Sequence, residues 1–165
     1  SQGVHTELAQ HPERDDSFDG VSIPALKTAS GRAILATFTS DELAAWWEEH
    51  GKFREQPESL EFRRPTDTYL VKKLRENPGS IRSLSKLVRV TRATRRIGYA
   101  ISDGELTPNI VDAAAPLRNS HGVVVGAIAV GARSSRIRDG FHGLGGLVKD
   151  AAQALSWELG WTGKS

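Results

Sequence analysis

Near Gly98 the hydrophobic pattern changes its period, and this change restricts the possible folds more than any other feature of the sequence. Upstream, apolar residues recur at helical spacing, whereas downstream the runs YAIS, IVDAAAPL and VVVGAIAV are short and rich in small or β-branched residues. The short connection Asn119-Ser120-His121-Gly122 joins the last two runs, which predicts an antiparallel hairpin. We therefore expect three strands that form a meander.

Helices are predicted before and after these strands in the sequence. TASGRAILATF, which begins at Thr28, suits a helix, and Thr39 with Glu42 forms a capping box that opens the next one. A short helix at 66–77 and an amphipathic, arginine-rich helix after Ser80 follow. A last helix runs through DGFHGLGGLVKDAAQALSWELG, with Ser134-Ser135 as its predicted cap. This order predicts an α+β fold, with helices packed on an antiparallel sheet.

Length and composition indicate an ordinary globular domain. The 165 residues fit one core, and the 22 Lys and Arg against 20 Asp and Glu leave a net charge of only +2, too even to predict nucleic-acid binding from bulk charge. No cysteine is present, and the longest apolar run is too short for a membrane span. We therefore expect a cytoplasmic protein without a membrane partner, with residues 1–20 as a loose arm or remnant strand.

Motifs for catalysis or metal binding are absent from the sequence. The five histidines have no metal-ligand spacing, the glycines at 140–146 lack a P-loop ending, and there is no G-x-S-x-G elbow. We accordingly predict no catalytic residue, no metal and no cofactor. What stands out instead is Asp112, a carboxylate inside the apolar strand IVDAAAPL. An unpaired buried charge is costly, so Asp112 lines a wet pocket, pairs with a cation or faces solvent, and these alternatives stay open.

Seven segments, taken in order, carry a resemblance to a known family. They are Pro24, TASGRAILA at 28–36, DEL at 41–43, RRIGYA at 95–100, SDGE at 102–105, AAAPL at 113–117 and NSHGVVVGAIAVG at 119–131. No single motif is specific, but their order and spacing resemble the effector-binding domain of IclR-type bacterial transcriptional regulators. The resemblance implies a GAF-like fold for residues 21–162, in which helices flank an antiparallel sheet.

The resemblance also implies a binding site between the sheet and the segment that contains TASG. There the helix start would offer backbone N–H groups to an anion, the strands would line the opposite side, and leucines would form an apolar wall. The implied effector-binding residues are Leu26, Ala29, Ser30, Leu35, Ser102, Asp103, Asp112, Ala129 and Gly131.

Two positions in this implied site depart from the family pattern. Asp112 stands where the family commonly has Ser or Cys, and Gly131 stands where it has Ser. Losing hydroxyl donors and gaining a carboxylate disfavours a small acid, so we expect a neutral, hydroxylated or cationic effector. The segment 52–83 is also longer than usual, and no role is assigned to it.

Regulation by a ligand is the function that the resemblance implies. A small catabolite would bind this domain and control a separate N-terminal winged helix-turn-helix domain. Residues 1–20 are too short to contain such a domain. Promoter DNA would be contacted only through that separate domain. A homodimer or tetramer is implied as well. Two alternatives remain: an enzyme with Asp112 or Asp103 as general base, and a nucleic-acid contact through the helix around Arg89 and Arg96, for which a solvated face is the favoured interpretation.

Overall fold

The computed structural model describes residues 23–51, 79–137 and 140–163. Its helices and strands are α1 (Ala29–Leu35), α2 (Ser40–His50), α3 (Leu84–Ile97), β1 (Ala100–Asp103), β2 (Ile110–Arg118), β3 (Val124–Arg133) and α4 (Gly140–Glu158). Short 3-10 turns occupy Ala25–Lys27 and Ser134–Arg136. The predicted arm at 1–20 and the predicted helix at 66–77 lie outside the described residues. The predicted α+β class is confirmed.

The three strands form the predicted antiparallel meander, in the order β1-β2-β3. The β2–β3 connection closes through hydrogen bonds from the Asn119 N–H to the Val123 carbonyl and from the Gly122 N–H to the Asn119 carbonyl. Gly122 has φ +74°, a left-handed conformation that glycine adopts without steric cost. The hairpin therefore follows from local turn chemistry, as its sequence predicts.

Alternation along β2 divides the core into two layers. Ala113 and Ala115 pack with Val148 and Ala152 of α4, whereas Ala114 packs with α1 on the other face. The alanines have little side chain to keep a helix away, so α1 and α4 can both lie close to the central strand. The sheet thus lies between α1 and α4.

The helical side of the molecule has a separate apolar cluster. It consists of Leu26, Leu35, Leu43, Ile81 and Leu87, with the two tryptophans of α2 packed against it. The predicted capping box at the start of α2 is present, because the Thr39 N–H donates to Glu42 Oε2 at 2.6 Å and the Glu42 N–H donates to Thr39 Oγ1 at 3.2 Å. α3 ends at Gly98, which has φ +89°.

The predicted cap of the last helix is wrong. Ser134 and Ser135 lie in the 3-10 turn that follows β3, where the Ser134 N–H donates to the Asn109 carbonyl at 2.9 Å. α4 begins only at Gly140. A capping residue directly precedes its helix and acts through its side-chain oxygen, so serines that lie in a separate turn several positions before Gly140 cannot cap α4.

Candidate functional site

One row of cross-strand neighbours crosses the sheet through Asp112. In the register of the strands, Ser102 of β1 faces Asp112 of β2, and Asp112 faces Gly131 of β3. Exposure increases along the row, since Ser102 is 1% exposed, Asp112 is partly buried and Gly131 is exposed. The row is therefore closed at β1 and open at β3.

The start of α1 covers the closed end of this row. Ser102 Oγ donates a hydrogen bond to the Lys27 carbonyl at 2.9 Å, which brings the turn before α1 onto the sheet. Ala29 then packs over Ala100 and Ala114, the next cross-strand row. Asp112 thus lies beside the segment that leads into α1.

Asp112 has no hydrogen-bond or ion-pair partner within the described part of the chain. Burial raises the pKa of its carboxyl above the ordinary value of 3.8. Burial penalises the charged form, and no cation among the described residues offsets that penalty. The ion-pair alternative therefore has no support in the described part of the chain, and the pocket stays a prediction.

The two departures from the family pattern form one local arrangement. A side chain on Gly131 would place its Cβ 2.6 Å from Asp112 Oδ1, closer than such atoms can come. The Asp112 carboxylate therefore occupies the space that a residue 131 side chain would need. An aspartate at 112 and a glycine at 131 are consequently compatible with each other, whereas Asp112 with a serine at 131 would require a rearrangement.

The structure brings together some of the predicted site residues and separates others. Five of them lie on the face of the sheet toward α1 or on α1 at that face: Ala29, Ser102, Asp112, Ala129 and Gly131. Ser30, in the first turn of α1, is partly exposed. Leu26 and Leu35 instead belong to the helical cluster, and Asp103 follows Ser102 in β1 and so points to the opposite face. The anion site predicted at the start of α1, a helix of seven residues, stays a prediction.

A buried ion pair beside the row was not predicted from the sequence. The Arg32 guanidinium of α1 contacts Glu105 Oε2 at 2.5 Å, and their side chains are 5% and 10% exposed. Arg32 also donates to the Leu26 carbonyl at 2.8 and 2.9 Å and to the Ile101 carbonyl at 3.0 Å. A charged residue within the small apolar helix TASGRAILA is the sequence signal that could have revealed it, by the argument applied to Asp112.

Glu105 is held by Ser80 in addition to Arg32. It accepts hydrogen bonds from the Ser80 N–H at 3.0 Å and the Ser80 hydroxyl at 2.9 Å. Burial on its own would raise the pKa of Glu105, but the contacts with Arg32 and Ser80 together lower it below 4.5. Glu105 therefore stabilises the fold above its ordinary pKa, and this contribution is lost as the pH falls through the lowered value.

Asp112→Asn is expected to stabilise the free domain at neutral pH. The folded-state pKa of Asp112 is raised by burial, so the carboxylate costs the fold stability as the pH rises from 3.8 through the raised pKa, whereas a neutral amide has no such cost. The melting temperature of the variant should rise by a few degrees near pH 7, and the gain should shrink below pH 3.8, where Asp112 is protonated in both states. Asp103→Asn, at an exposed carboxylate of β1, is the control; an equal gain there would contradict the burial argument.

Comparison with known proteins identifies the chain's family. Residues 67–157, more than half of the 165 residues, match the family model for the C-terminal region of the bacterial transcriptional regulator IclR. This chain belongs to the IclR C-terminal family. The resemblance seen in the sequence is thus confirmed. Comparison with curated protein sequences gave no significant match.

Solved structures of transcriptional regulators share this IclR C-terminal fold. The Agobacterium tumefaciens repressor BlcR is 25% identical with a TM-score of 0.69, over 93% of this chain and 53% of its own. The Thermotoga maritima IclR is 20% identical with a TM-score of 0.64, over 94% of this chain and 55% of its own. The inducer-binding domain of PobR from Acinetobacter, solved as a double mutant with 3-hydroxybenzoic acid, is 18% identical with a TM-score of 0.61. The match covers 89% of this chain and 76% of its own. The chain thus spans about half the length of BlcR and of the Thermotoga protein.

The family membership decides between the functional alternatives. Members of the IclR C-terminal family are domains of transcriptional regulators rather than enzymes, so a role of Asp112 or Asp103 as general base has no support. No helix in the described ranges is long and apolar enough to cross a membrane. The described residues also contain no cluster of His, Asp and Glu that could hold a metal ion.

Proposed function

We propose that this domain binds a small catabolite at the row formed by Ser102, Asp112 and Gly131 and that binding controls the DNA affinity of the regulator. The observation that carries the proposal is the Asp112 carboxylate, partly buried on the central strand and without a partner in the described part of the chain. A charge left in that condition gains most from a ligand that supplies a donor.

The position of the row offers a way for binding to affect the rest of the regulator. Asp112 lies one strand away from Ser102, which is bonded to the Lys27 carbonyl just before α1. A ligand on Asp112 would touch both the sheet and the segment leading into α1, so two conformations that differ in this contact would bind it with different affinity. A difference of this kind is what an effector needs to shift a population.

The chemistry of the row favours an amine or a polyol as the effector. The Asp112 carboxylate accepts hydrogen bonds and attracts cations, whereas a carboxylic acid ligand would be repelled unless one of the two groups were protonated. Gly131 and Ala129 are exposed and small, so the open end of the row leaves room for a ligand body. The PobR inducer-binding domain was solved as a double mutant with an acid, 3-hydroxybenzoic acid, and the proposal assigns this chain a different ligand class.

The setting of this function follows the family. The regulator would act in the cytoplasm as a homodimer or tetramer, with promoter DNA read by a winged helix-turn-helix unit and no cofactor taking part. What supports this setting is the similarity to regulators whose chains are about twice as long as this one, BlcR among them.

A ligand screen followed by two matched variants tests the proposal. Thermal shift against matched amines, polyols and carboxylic acids should find hits among the first two classes. Calorimetry should then show a hit that Asp112→Asn weakens by about 10–100-fold, the worth of a hydrogen bond to a charged group.

Asp103→Asn serves as the control, since this carboxylate belongs to the same sheet but points to the other face. It should leave the affinity of the hit unchanged. Binding that survives Asp112→Asn, or hits confined to carboxylic acids, would refute the assignment of the site to this row.

A further inference from the structure

The outer side of α3 carries a row of cations that the effector site does not use. Their positions recur every three or four residues, so they share one side of the helix. We define this arginine face by its members, Lys86, Arg89, Arg92 and Arg96. All three arginines are exposed, Lys86 is partly exposed, and α3 has no acidic residue.

The arginines of this face differ from a neighbouring arginine that has a structural role. Arg95, three residues after Arg92 and bonded to the end of α1, donates from Nε to the Ala36 carbonyl at 2.8 Å and from Nη2 to the Phe38 carbonyl at 2.7 Å. Arg89, Arg92 and Arg96, by contrast, make no hydrogen bond or ion pair within the described ranges. Within the described ranges, hydrogen bonding therefore accounts for the position of Arg95 and for none of these three arginines.

The charge of the arginine face is a local concentration. The whole chain has a net charge of only +2, yet α3 has five basic residues in 14 positions. From Lys86 to Arg96 the face runs for about 15 Å along a rigid helix, the length of several backbone phosphates of one strand.

Lipid and protein partners fit this surface poorly. The apolar side of α3 is already packed, with Leu87 fully buried in the helical cluster and Leu84 and Val88 against it, so nothing remains to enter a bilayer. None of the exposed large hydrophobic residues of the described chain lies on α3, whereas the centre of a protein interface needs apolar side chains. A surface of exposed arginines without exposed large apolar residues instead fits a polyanion with regularly spaced phosphates.

We propose that the arginine face of α3 binds the phosphate backbone of duplex DNA, without reading its sequence. Within a transcriptional regulator this contact would add affinity next to the promoter and orient the effector-binding domain on the duplex. The contact is independent of the effector row, since it lies on a different element and uses none of its residues.

The proposal is tested by titrating a fluorescein-labelled random-sequence DNA duplex with this chain. Binding is measured from the fluorescence anisotropy at several KCl concentrations. The chain should bind with a dissociation constant of roughly 10⁻⁴ M or tighter at about 50 mM KCl and lose affinity steeply by about 200 mM. Arg89→Gln with Arg96→Gln should reduce the slope of log K against log salt by about two, since each lost phosphate contact removes close to one.

The control is Arg133→Gln with Arg136→Gln, which removes the same charge from exposed arginines at the end of β3 and in the turn after it. It should leave the slope unchanged, and both double variants should keep the wild-type melting temperature. Absence of binding at low salt, or equal loss in both variants, would overturn the proposal. If the chain bound polyglutamate or phosphatidylserine vesicles as strongly as DNA, the assignment to nucleic acid would be overturned. A preference for duplex RNA over duplex DNA would overturn the assignment to DNA.

Discussion

Replacing Arg32 by alanine is expected to lower the free energy of unfolding by about 3–5 kcal/mol, the usual cost of leaving one member of a buried ion pair without its partner. Glu105 would stay buried with its charge uncompensated, and the Leu26 and Ile101 carbonyls would lose their donor. A domain of ordinary stability has about 5–15 kcal/mol in total, so the variant should be close to unfolding at room temperature. Urea denaturation followed by circular dichroism measures the effect.

A double variant keeps this prediction testable even if Arg32→Ala does not fold. Glu105→Gln in the same chain removes the stranded charge, so Arg32→Met with Glu105→Gln should be more stable than Arg32→Met alone. Arg136→Ala, at an exposed arginine, should change the free energy of unfolding by less than about 0.5 kcal/mol. Additive losses in the double variant would mean that Arg32 and Glu105 do not act as a pair.

The second large effect is expected at Gly145, where α4 crosses Tyr99. A Cβ at this position would overlap the Tyr99 ring, which is buried and whose hydroxyl contacts His142 Nδ1 at 2.6 Å. The ring is thus held at two points and cannot simply turn away. Gly145→Ala should therefore lower the free energy of unfolding by roughly 1–3 kcal/mol, a typical cost of overpacking, although alanine is the better helix former.

Gly146, the next residue of the same helix, provides the matched control. A Cβ there would meet no atom within 4 Å, so Gly146→Ala should stabilise the domain by up to about 1 kcal/mol through helix propensity alone. The two neighbouring substitutions should accordingly have opposite signs in urea denaturation. A Tyr99→Leu background, in which the ring is gone, should shrink the penalty of Gly145→Ala. Stabilisation by both alanines would show that the helix is not in contact with Tyr99.

These two contacts fix the parts of the fold on which the proposed site depends. Arg32 joins α1 to β1 and to the turn that carries Glu105, and so holds the start of α1 against the row of Ser102 and Asp112. Gly145 lets α4 approach the other face of the same sheet. Any movement of α1 relative to the sheet would have to disturb the Arg32 contacts.

Much of the fold could be predicted because its signals are local. The capping box at Thr39, the glycine that ends α3 and the turn at Asn119–Gly122 each depend on neighbouring residues only. The alternation of side chains along β2, with Ala114 toward one face of the sheet and Ala113 toward the other, could be predicted for the same reason. The cap predicted at Ser134-Ser135 is wrong because these residues form a separate turn, bonded to the distant Asn109 carbonyl, and α4 begins only at Gly140.

The site could be predicted only in part, because its geometry depends on pairings between distant residues. The sequence by itself determined that Asp112 is an unusual carboxylate in an apolar strand and that its family pattern is altered at 112 and 131. Only the tertiary structure decided that Asp112 and Gly131 are cross-strand partners that share one space. It also decided that Asp103 points to the opposite face of the sheet and that Arg32 pairs with Glu105. Composition and periodicity act over a few residues, whereas strand register and the matching of buried charges are set by the packing of the whole domain.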